Sequence, residues 1–395
     1  MAESLPRELV DAIIDELPSR RDLKALSLTC HVFSLPARAI LFRQIKLTQL
    51  QLNPDVVQRF HELCVVSPHI PPLVRALHLD GRCRGPTFLA VFDIISWVLQ
   101  FMQNLRVIKL YHVTIGNWVP STTSSHSLRE IHLTDVIFHE DGFRQMCALI
   151  RGSPHLERLF VHDNRRFSAF GGNATSQLSL NHTHCGPRIK DLSLGNRPLS
   201  SFIEAILDTK NCLVSIEELR WFQYTLTTAT DFQHLAKILE LTSGTLRVLL
   251  LTLSLRRRTL FLNELPLIRI GDLRQIAFIT MTRVYGHQYL RWWIQSLRKV
   301  SQSNRPPALQ VMDIQLDTLY HWDPVLPEWP WCELDEILSS PPFDTRFRML
   351  TIKVCKGRTF EMTPGEGASR HGLWVQFEAQ FPRLAGKLRV SIQEY

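Results

Sequence analysis

Two patterns of apolar residues divide the chain. From Leu5 to Leu47 the spacing is helical, because Leu9, Ile13 and Leu17 recur at intervals of four and would share one face of a helix. Beyond Leu47, an apolar residue is followed repeatedly by apolar residues three and five positions later. These patterns predict a short helical segment at the N-terminus and a long segment built from a repeated strand.

The first segment has the spacing of three helices. Pro6 suits the first position of a helix, where its missing N–H is not needed, and Pro18 ends that helix. Ser19 and Asp22 have the spacing of a capping box that starts a second helix. The apolar stripe continues at Leu23, Leu26, Cys30, Phe33, Ala37, Ile40 and Leu41. So small a domain is hardly stable alone, and the pattern leaves open whether this chain or another protein packs against it.

The strand pattern occurs ten times after residue 73. The copies begin at Val74, Leu105, Leu128, Leu156, Ile189, Ile216, Leu246, Leu273, Leu309 and Phe347. Helical spacing lies between them, in 88–102, 141–150, 201–207, 232–241, 289–300 and 334–338. Strand then helix, repeated, is typical of a leucine-rich-repeat solenoid with a parallel sheet on its inner face. Unrelated α/β units remain an alternative, which ten copies in series disfavour.

One of the predicted helices, 289–300, carries the adjacent residues Trp292 and Trp293. Neighbouring side chains on a helix point about 100° apart, so both cannot face the same way. We expect one indole in the core and the other in contact with a neighbouring repeat, in preference to a ligand.

Residues between the apolar positions of each strand should face away from the core, because side chains alternate along a strand. They include many cations and aromatic rings, which are typical of protein-recognition surfaces. We predict substrate contacts at Lys109, Tyr111, His132, Arg158, Phe160, His162, Arg220 and Phe222, and expect His78, Asp80, Asp313 and Lys353 on the same concave face. For Phe160 and Phe222, burial under neighbouring loops is an equally good interpretation.

Composition and charge indicate a folded protein and leave its partner open. Of the 395 residues, 45% are hydrophobic and 21% charged, so a disordered chain is excluded. The formal net charge is +8, but the basic residues are dispersed, many of them directly after the first apolar residue of a copy. No dense basic run suits a phosphate backbone, so we predict no nucleic-acid partner and a preference for acidic or phosphorylated proteins.

Motifs for chemistry are absent from the sequence. It has no Gly-rich phosphate loop, no Gly-x-Ser-x-Gly and no His-Glu-x-x-His, so we predict no catalytic residues, cofactor or metal. His182, His184 and Cys185 come nearest to a metal site but lack a fourth ligand at useful spacing. No membrane span or signal peptide is predicted, and we expect a location in the cytoplasm, the nucleus or both.

The order and spacing of the N-terminal positions resemble the F-box, a motif that ties a substrate receptor to the S-phase-kinase-associated adaptor of a cullin–RING ubiquitin ligase. The positions that carry the resemblance are Leu5-Pro6-x-Glu8-Leu9, Ile13, Leu17, Leu23, Leu26, Cys30, Phe33 and Leu41-Phe42-x-x-Ile45. The resemblance implies adaptor contacts at Leu5, Pro6, Leu9, Ile13, Leu17, Leu23 and Leu26, with Cys30 and Phe33 nearer the core. His31, Val32 and Phe33 depart from the family, which usually has a basic residue and a Trp there.

As a whole, the chain resembles F-box proteins with irregular leucine-rich repeats, as in the large F-box families of basidiomycete fungi. The expected α/β fold is a three-helix F-box in 1–48, a linker or first-repeat cap in 49–72, and a solenoid with a curved parallel sheet in 73–395. Within the solenoid, 373–381 and 388–392 are expected to form a C-terminal cap.

The resemblance implies a non-catalytic substrate-recognition subunit of a Skp–cullin–F-box ubiquitin ligase. Its partners would be the adaptor, through it a cullin, and a protein substrate that the sequence does not identify. A second hypothesis is a protein-binding repeat scaffold that joins no ligase, in which the N-terminal helices only cap the first repeat.

Overall fold

The structure is a computed structural model of the chain. It describes residues 5–17, 19–48, 55–81, 89–90, 94–115, 127–138, 140–163, 165–166, 186–195, 200–208, 212–253, 266–280, 286–303, 306–318, 329–356, 375 and 377–394. The chain forms two compact units, Met1–Arg188 with Pro198–Ser215, and Ile189–Arg197 with Ile216–Tyr395. Each unit is described by itself.

The first unit begins with three helices where the apolar spacing predicted them. We call them the helix cluster: α1 (Arg7–Asp15), α2 (Arg20–Thr29) and α3 (His31–Phe42). The start of α2 is capped as predicted, since the backbone N–H of Asp22 donates to the Ser19 hydroxyl at 3.1 Å. The helices enclose a small core of Val10, Ile14 and Leu23, against which Leu17, Leu26, Val32, Phe33 and Leu41 pack.

Five parallel strands follow in the main sheet of this unit. In spatial order they are β1 (Gln44–Thr48), β2 (Ala76–Asp80), β4 (Val107–Tyr111), β6 (Glu130–Thr134) and β8 (Arg158–His162). Buried and partly exposed residues alternate along β2 and β4, as the repeated pattern predicted. Strand β1 lies inside the segment 1–48 that was assigned to the helices, so the sheet begins earlier than expected.

The described residues of the first unit also form a second sheet and further helices. A second parallel sheet consists of β3 (Leu89–Ala90), β5 (Val113–Ile115), β7 (Ile137–Phe138) and β9 (Arg165–Arg166). The helices are α4 (Asp55–Val66), α5 (Ile94–Phe101), α6 (Glu140–Arg151) and α7 (Ser200–Leu207). The segment 49–72 therefore contains a helix, α4, whose Phe60 and Cys64 are buried.

Left-handed residues turn the chain from the main sheet into the short one. His112 and Asp135 have φ angles of 53° and 51°. The N–H of His112 donates to the carbonyl of Thr134 at 3.0 Å, and the N–H of Asp135 to that of His162 at 2.8 Å. Each turn is thus hydrogen-bonded through its backbone to the next strand of the main sheet, and the side chains of His112 and Asp135 are themselves hydrogen-bonded at 2.8 Å.

Within its described residues, the second unit forms seven parallel strands and three α-helices. The strands are β10 (Asp191–Leu194), β11 (Trp221–Leu226), β12 (Val248–Leu253), β13 (Gln275–Thr280), β14 (Val311–Thr318), β15 (Met349–Lys356) and β16 (Leu388–Glu394). The helices are α8 (Ala229–Leu241), α9 (Gly286–Ser301) and α10 (Trp331–Ser339). An α/β fold with extensive parallel sheet is confirmed. The expected cap at 388–392 is a strand that pairs with β15.

One copy of the strand pattern was placed three residues too early. Parallel pairing sets Phe222 beside Leu192 on one side and Leu249 on the other, so Phe222 occupies a core position. Its side chain is fully buried, and so is that of Tyr224. The prediction that Phe222 faces a substrate is therefore wrong, because the true copy is Leu219, Phe222 and Tyr224.

Both tryptophans of α9 lie in the core of the second unit. Trp292 is 1% exposed and Trp293 is 0% exposed. The Trp293 ring stacks on Phe278 from β13, with ring centroids 5.6 Å apart. The Trp292 ring meets Phe232 from α8 edge to face at 5.3 Å. The two indoles therefore join neighbouring strand and helix elements of this unit into one aromatic core.

Candidate functional site

The helix cluster has an apolar exterior as well as a core. On α1, Val10 and Ile14 are 2% exposed, whereas Leu9 is 52% and Ile13 is 42% exposed. Leu5, just before the helix, is also exposed. We call Leu5, Leu9 and Ile13 the apolar surface of α1. Neighbouring exposed apolar side chains of this size are typical of a surface that another protein covers.

The predicted adaptor residues divide into exposed and packed ones. Leu23 is 6% exposed and belongs to the core of the cluster, while Leu17 and Leu26 are half-buried against it. The expectation that Leu23 meets a partner is therefore wrong, because its side chain is used inside the cluster. The exposed members are Leu5, Pro6, Leu9 and Ile13.

Two further apolar residues of the cluster escaped the sequence reasoning. Leu28 on α2 is 77% exposed and Leu35 on α3 is 57% exposed. Both lie off the predicted stripe that runs through Leu23, Leu26 and Cys30, so the helical spacing offered no reason to bury them. That misfit is the available sequence signal for their exposure, although single exposed apolar residues are common on protein surfaces and do not by themselves mark a contact.

A second candidate surface is formed by the outward side chains of β1, β2, β4, β6 and β8, which we call the strand face. Parallel register places Lys46, His78, Lys109, His132 and Phe160 side by side, one on each strand. The next outward position carries Asp80, Tyr111 and His162. The strand face therefore brings together the predicted residues Lys109, Tyr111, His132, Arg158, Phe160 and His162.

Glu130 lies at the centre of the strand face, although the sequence analysis did not select it. Its carboxylate accepts a hydrogen bond from His132 Nε2 at 2.6 Å and pairs with Arg158 Nη2 at 2.7 Å and Lys109 Nζ at 3.4 Å. Burial alone would raise the pKa of Glu130, but the His132 hydrogen bond and the neighbouring cations outweigh it and hold that pKa below its ordinary value. An ionised Glu130 thus fixes three predicted residues.

An aromatic pair stiffens the same surface. The rings of His132 and Phe160 stack with centroids 4.1 Å apart and an interplanar angle of 15°. Both side chains are half-buried, so Phe160 is neither free in solvent nor hidden in the core. The strand face therefore presents side chains in set positions, which lowers the entropy lost when a partner binds.

His78 is neutral at physiological pH. Burial, followed by the charges of Lys109 and Lys46, lowers its pKa from the ordinary value of 6.5 to about 4. The side-chain amide of Gln44 lies 3.0 Å from its Nε2 atom. His78 thus contributes a polar but uncharged group between two lysines.

The low pKa of His78 predicts a loss of stability in mild acid. The unfolded chain binds a proton at this residue near pH 6.5, whereas the folded chain binds it only near pH 4. The free energy of unfolding should therefore decrease as the pH is lowered from about 6.5 to about 4. We expect His78→Gln to lose less stability than the wild type in urea titrations across this window. His69→Gln, at an exposed histidine, is the control and should follow the wild type. Equal losses in His78→Gln and wild type would contradict this account.

The remaining predicted residues lie in the second unit. Arg220 is exposed directly before β11, while Phe222 is in the core. Asp313 on β14 accepts a hydrogen bond from the Gln275 amide at 3.0 Å, and Lys353 on β15 is half-buried. Asp313 is thus held by its neighbouring strand.

Other expectations concern metals and membranes. His182, His184 and Cys185 lie outside the described residues. In the part of the chain that the structure describes, no group of three or more His, Cys, Asp or Glu residues could hold a metal ion. Nor does any described helix have the length and apolarity needed to cross a membrane.

No known family model and no curated protein matches this sequence. The resemblance to F-box and leucine-rich-repeat proteins therefore depends on residues of this chain alone. The functional argument has to be made from the apolar surface of α1 and the strand face.

Proposed function

We propose that the protein is the substrate-recognition subunit of a Skp–cullin–F-box ubiquitin ligase. In this proposal the helix cluster is an F-box that docks on the S-phase-kinase-associated adaptor and, through it, on a cullin. The parallel strands and their helices are a leucine-rich-repeat solenoid that binds a protein substrate. The protein itself performs no chemistry.

The observation that carries the proposal is the apolar surface of α1 above a complete core. Val10, Ile14 and Leu23 already close the inside of the cluster, so Leu9 and Ile13 are not needed for it. Full burial of an exposed Leu or Ile is worth about 1.5–3 kcal/mol, and because Leu9 and Ile13 are about half exposed, a partner that covers them would recover about half of this for each. A partner that covers them recovers this free energy, and the F-box resemblance names the kind of partner.

The mechanism would be tethering. A receptor that holds the adaptor at one surface and the substrate at another turns ubiquitin transfer into a reaction between neighbours. Linking two partners in this way raises their effective concentration to about the millimolar range without any catalytic group. The strand face is our candidate for the substrate surface, because Glu130 holds Lys109, His132 and Arg158 in place there.

The scaffold hypothesis also has support in the fold. Helix α3 ends at Phe42 and the first strand starts at Gln44, so the cluster leads directly into the sheet. The guanidinium of Arg20 on α2 donates to the carbonyl of Leu41 at 2.6 Å, close to that junction. A cluster that only caps the first strand would look similar, but it would not require exposed Leu9 and Ile13.

Affinity capture of the intact chain from cells with blocked proteasomes tests the ligase proposal. We expect the adaptor and a cullin among the captured proteins, together with ubiquitin-conjugated material. A scaffold outside any ligase would recover neither the adaptor nor the cullin, and that result would contradict the proposal.

A further inference from the structure

The strands of the first unit are preceded by basic residues that lie next to one another. Arg43, Arg75, Arg106 and Arg129 stand directly before β1, β2, β4 and β6. The N–H of Arg75 donates to the carbonyl of Arg43 at 2.9 Å, that of Arg106 to Arg75 at 2.8 Å, and that of Arg129 to Arg106 at 2.8 Å. We call these four residues the arginine ladder, which ends at Glu157, the next position in line.

The ladder presents unused positive charge. All four arginines are exposed, and among the residues that the structure describes their side chains have no hydrogen bond or ion pair. Neighbouring parallel strands lie about 4.8 Å apart, so the four arginines span about 14 Å. The distance of about 4.8 Å between neighbouring strands is shorter than the Debye length of about 8 Å at physiological ionic strength. Neighbouring arginines therefore repel one another unless an anion lies over them.

A hollow of about 420 Å³ runs beside the ladder. It is lined by Arg43, Arg75 and Arg106 together with Lys109 from the strand face. Glu130 is the acidic residue among its described lining, and its carboxylate already pairs with Lys109 and Arg158. The arginines of the hollow therefore remain available to a ligand, and the arginine fork matches a carboxylate in geometry.

The arrangement of the charges indicates what kind of anion fits. A single phosphate group is held by donors that converge on one point, whereas the ladder sets one cation on each of four strands. A row of cations suits a row of single negative charges. An extended peptide rises about 3.3 Å per residue, so about five residues cover the ladder.

Nucleic acid fits the same surface less well. Four phosphate contacts give only weak binding at physiological salt, and single strands also need free aromatic faces on which bases stack. On the strand face, the ring of Phe160 is already stacked on His132. The row of cations also ends after four positions, at Glu157.

We propose that the arginine ladder binds a short, unmodified acidic segment of the protein substrate, rich in Asp and Glu. This inference deepens the proposed function and rests on it for the identity of the ligand as a protein substrate. The same construction recurs in the second unit, where the N–H groups of Arg220, Arg247 and Arg274 donate in turn to Lys190, Arg220 and Arg247. This second row of basic residues ends at Gln310, as the ladder ends at Glu157.

Fluorescence anisotropy with the intact chain tests the ladder. The probes are fluorescein-labelled octaglutamate and octaglutamine, and we expect saturable binding of the first alone, weakening as salt is added. Arg75→Glu with Arg106→Glu should weaken octaglutamate binding by about tenfold or more, because two attractive contacts become repulsive. Arg59→Glu with Arg346→Glu changes the net charge equally at exposed positions off the ladder and should bind like the wild type.

Apart from an absence of octaglutamate binding, three outcomes would overturn the proposal. Equal weakening by the ladder and control variants would mean that only net charge matters. Tighter binding of an octathymidylate strand would point to nucleic acid, and tighter binding of octaglutamine carrying one phosphoserine would point to a convergent phosphate site. Arg75→Gln with Arg106→Gln, a milder change, provides the comparison if the glutamate variant fails to fold.

Adaptor binding, measured on the same preparations, separates this inference from the proposed function. Ladder-dependent binding of octaglutamate without adaptor binding would leave the acidic-peptide site standing and remove the ligase role. Adaptor binding without any binding of octaglutamate would remove the ladder inference and leave the ligase role standing.

Discussion

Replacing Trp293 with alanine is expected to lower the free energy of unfolding of the second unit by about 3–5 kcal/mol. The side chain is 0% exposed, and its ring contacts Phe278, Tyr289 and Trp292, with centroids 5.6, 6.3 and 5.2 Å away. Alanine removes the indole and leaves a cavity that neighbouring rings can fill only in part. A urea titration followed by circular dichroism measures the change without relying on the fluorescence of the residue that is removed.

The control lies on the same helix. Arg291 is exposed on α9, so Arg291→Ala should change the free energy of unfolding by no more than about 0.5 kcal/mol. A loss below about 1 kcal/mol for Trp293→Ala would contradict the aromatic core described for α9 and β13, because it would mean that the site collapses without cost.

Leu9→Asp with Ile13→Asp is expected to weaken adaptor binding by about 100-fold or more. Both residues are exposed, so the new carboxylates remain hydrated in the free chain. In a docked complex they would be buried without partners, which costs several kcal/mol. Ile13 is a better target than Leu17, because Leu17 packs against the core of the cluster and its substitution would also disturb the fold.

A matched pair of substitutions exists outside the cluster. Leu63 and Val66 on α4 are 39% and 79% exposed, so Leu63→Asp with Val66→Asp makes the same chemical change elsewhere. This control should bind the adaptor like the wild type. The scaffold hypothesis predicts a different pattern for Leu9→Asp with Ile13→Asp: a lower melting temperature, because the cap would be damaged, and no partner lost.

The strand positions were predictable because burial alternates along each strand. Val74, Leu77 and Leu79 mark β2 in this way, and the intervening helices follow from their own spacing. Phe222 was misplaced because the run from Ile216 to Tyr224 fits the pattern in two registers. Only pairing with β10 and β12 selects the correct one.

Two strands were missed although their signal was present. Phe42, Ile45 and Leu47 have the same three-and-five spacing before and within β1, but they lie in the segment 1–48 that was expected to be a three-helix F-box. Leu388 and Val390 in β16 follow Ala385 with that spacing too. In these two segments the pattern competes with the expectation of an F-box helix or of a C-terminal cap, and local spacing alone does not decide between them.

The central contacts of the candidate site could not be predicted from the sequence alone. Arg75 and Arg106 are each visible as an Arg after an apolar residue, but only parallel pairing makes them neighbours. Glu130 gains its role from Lys109 and Arg158, which lie on the strands to either side. Such clusters depend on register, which the sequence pattern of a single strand does not contain.

Titration calorimetry of the purified adaptor into the intact chain tests the central claim most directly. The ligase account predicts saturable binding of one adaptor per chain, with a dissociation constant of about 1 μM or tighter, equivalent to about −8 kcal/mol. It also predicts that binding is lost in Leu9→Asp with Ile13→Asp and kept in Leu63→Asp with Val66→Asp. A folded wild-type chain that shows no binding at adaptor concentrations up to about 100 μM, near −5.5 kcal/mol, would contradict it.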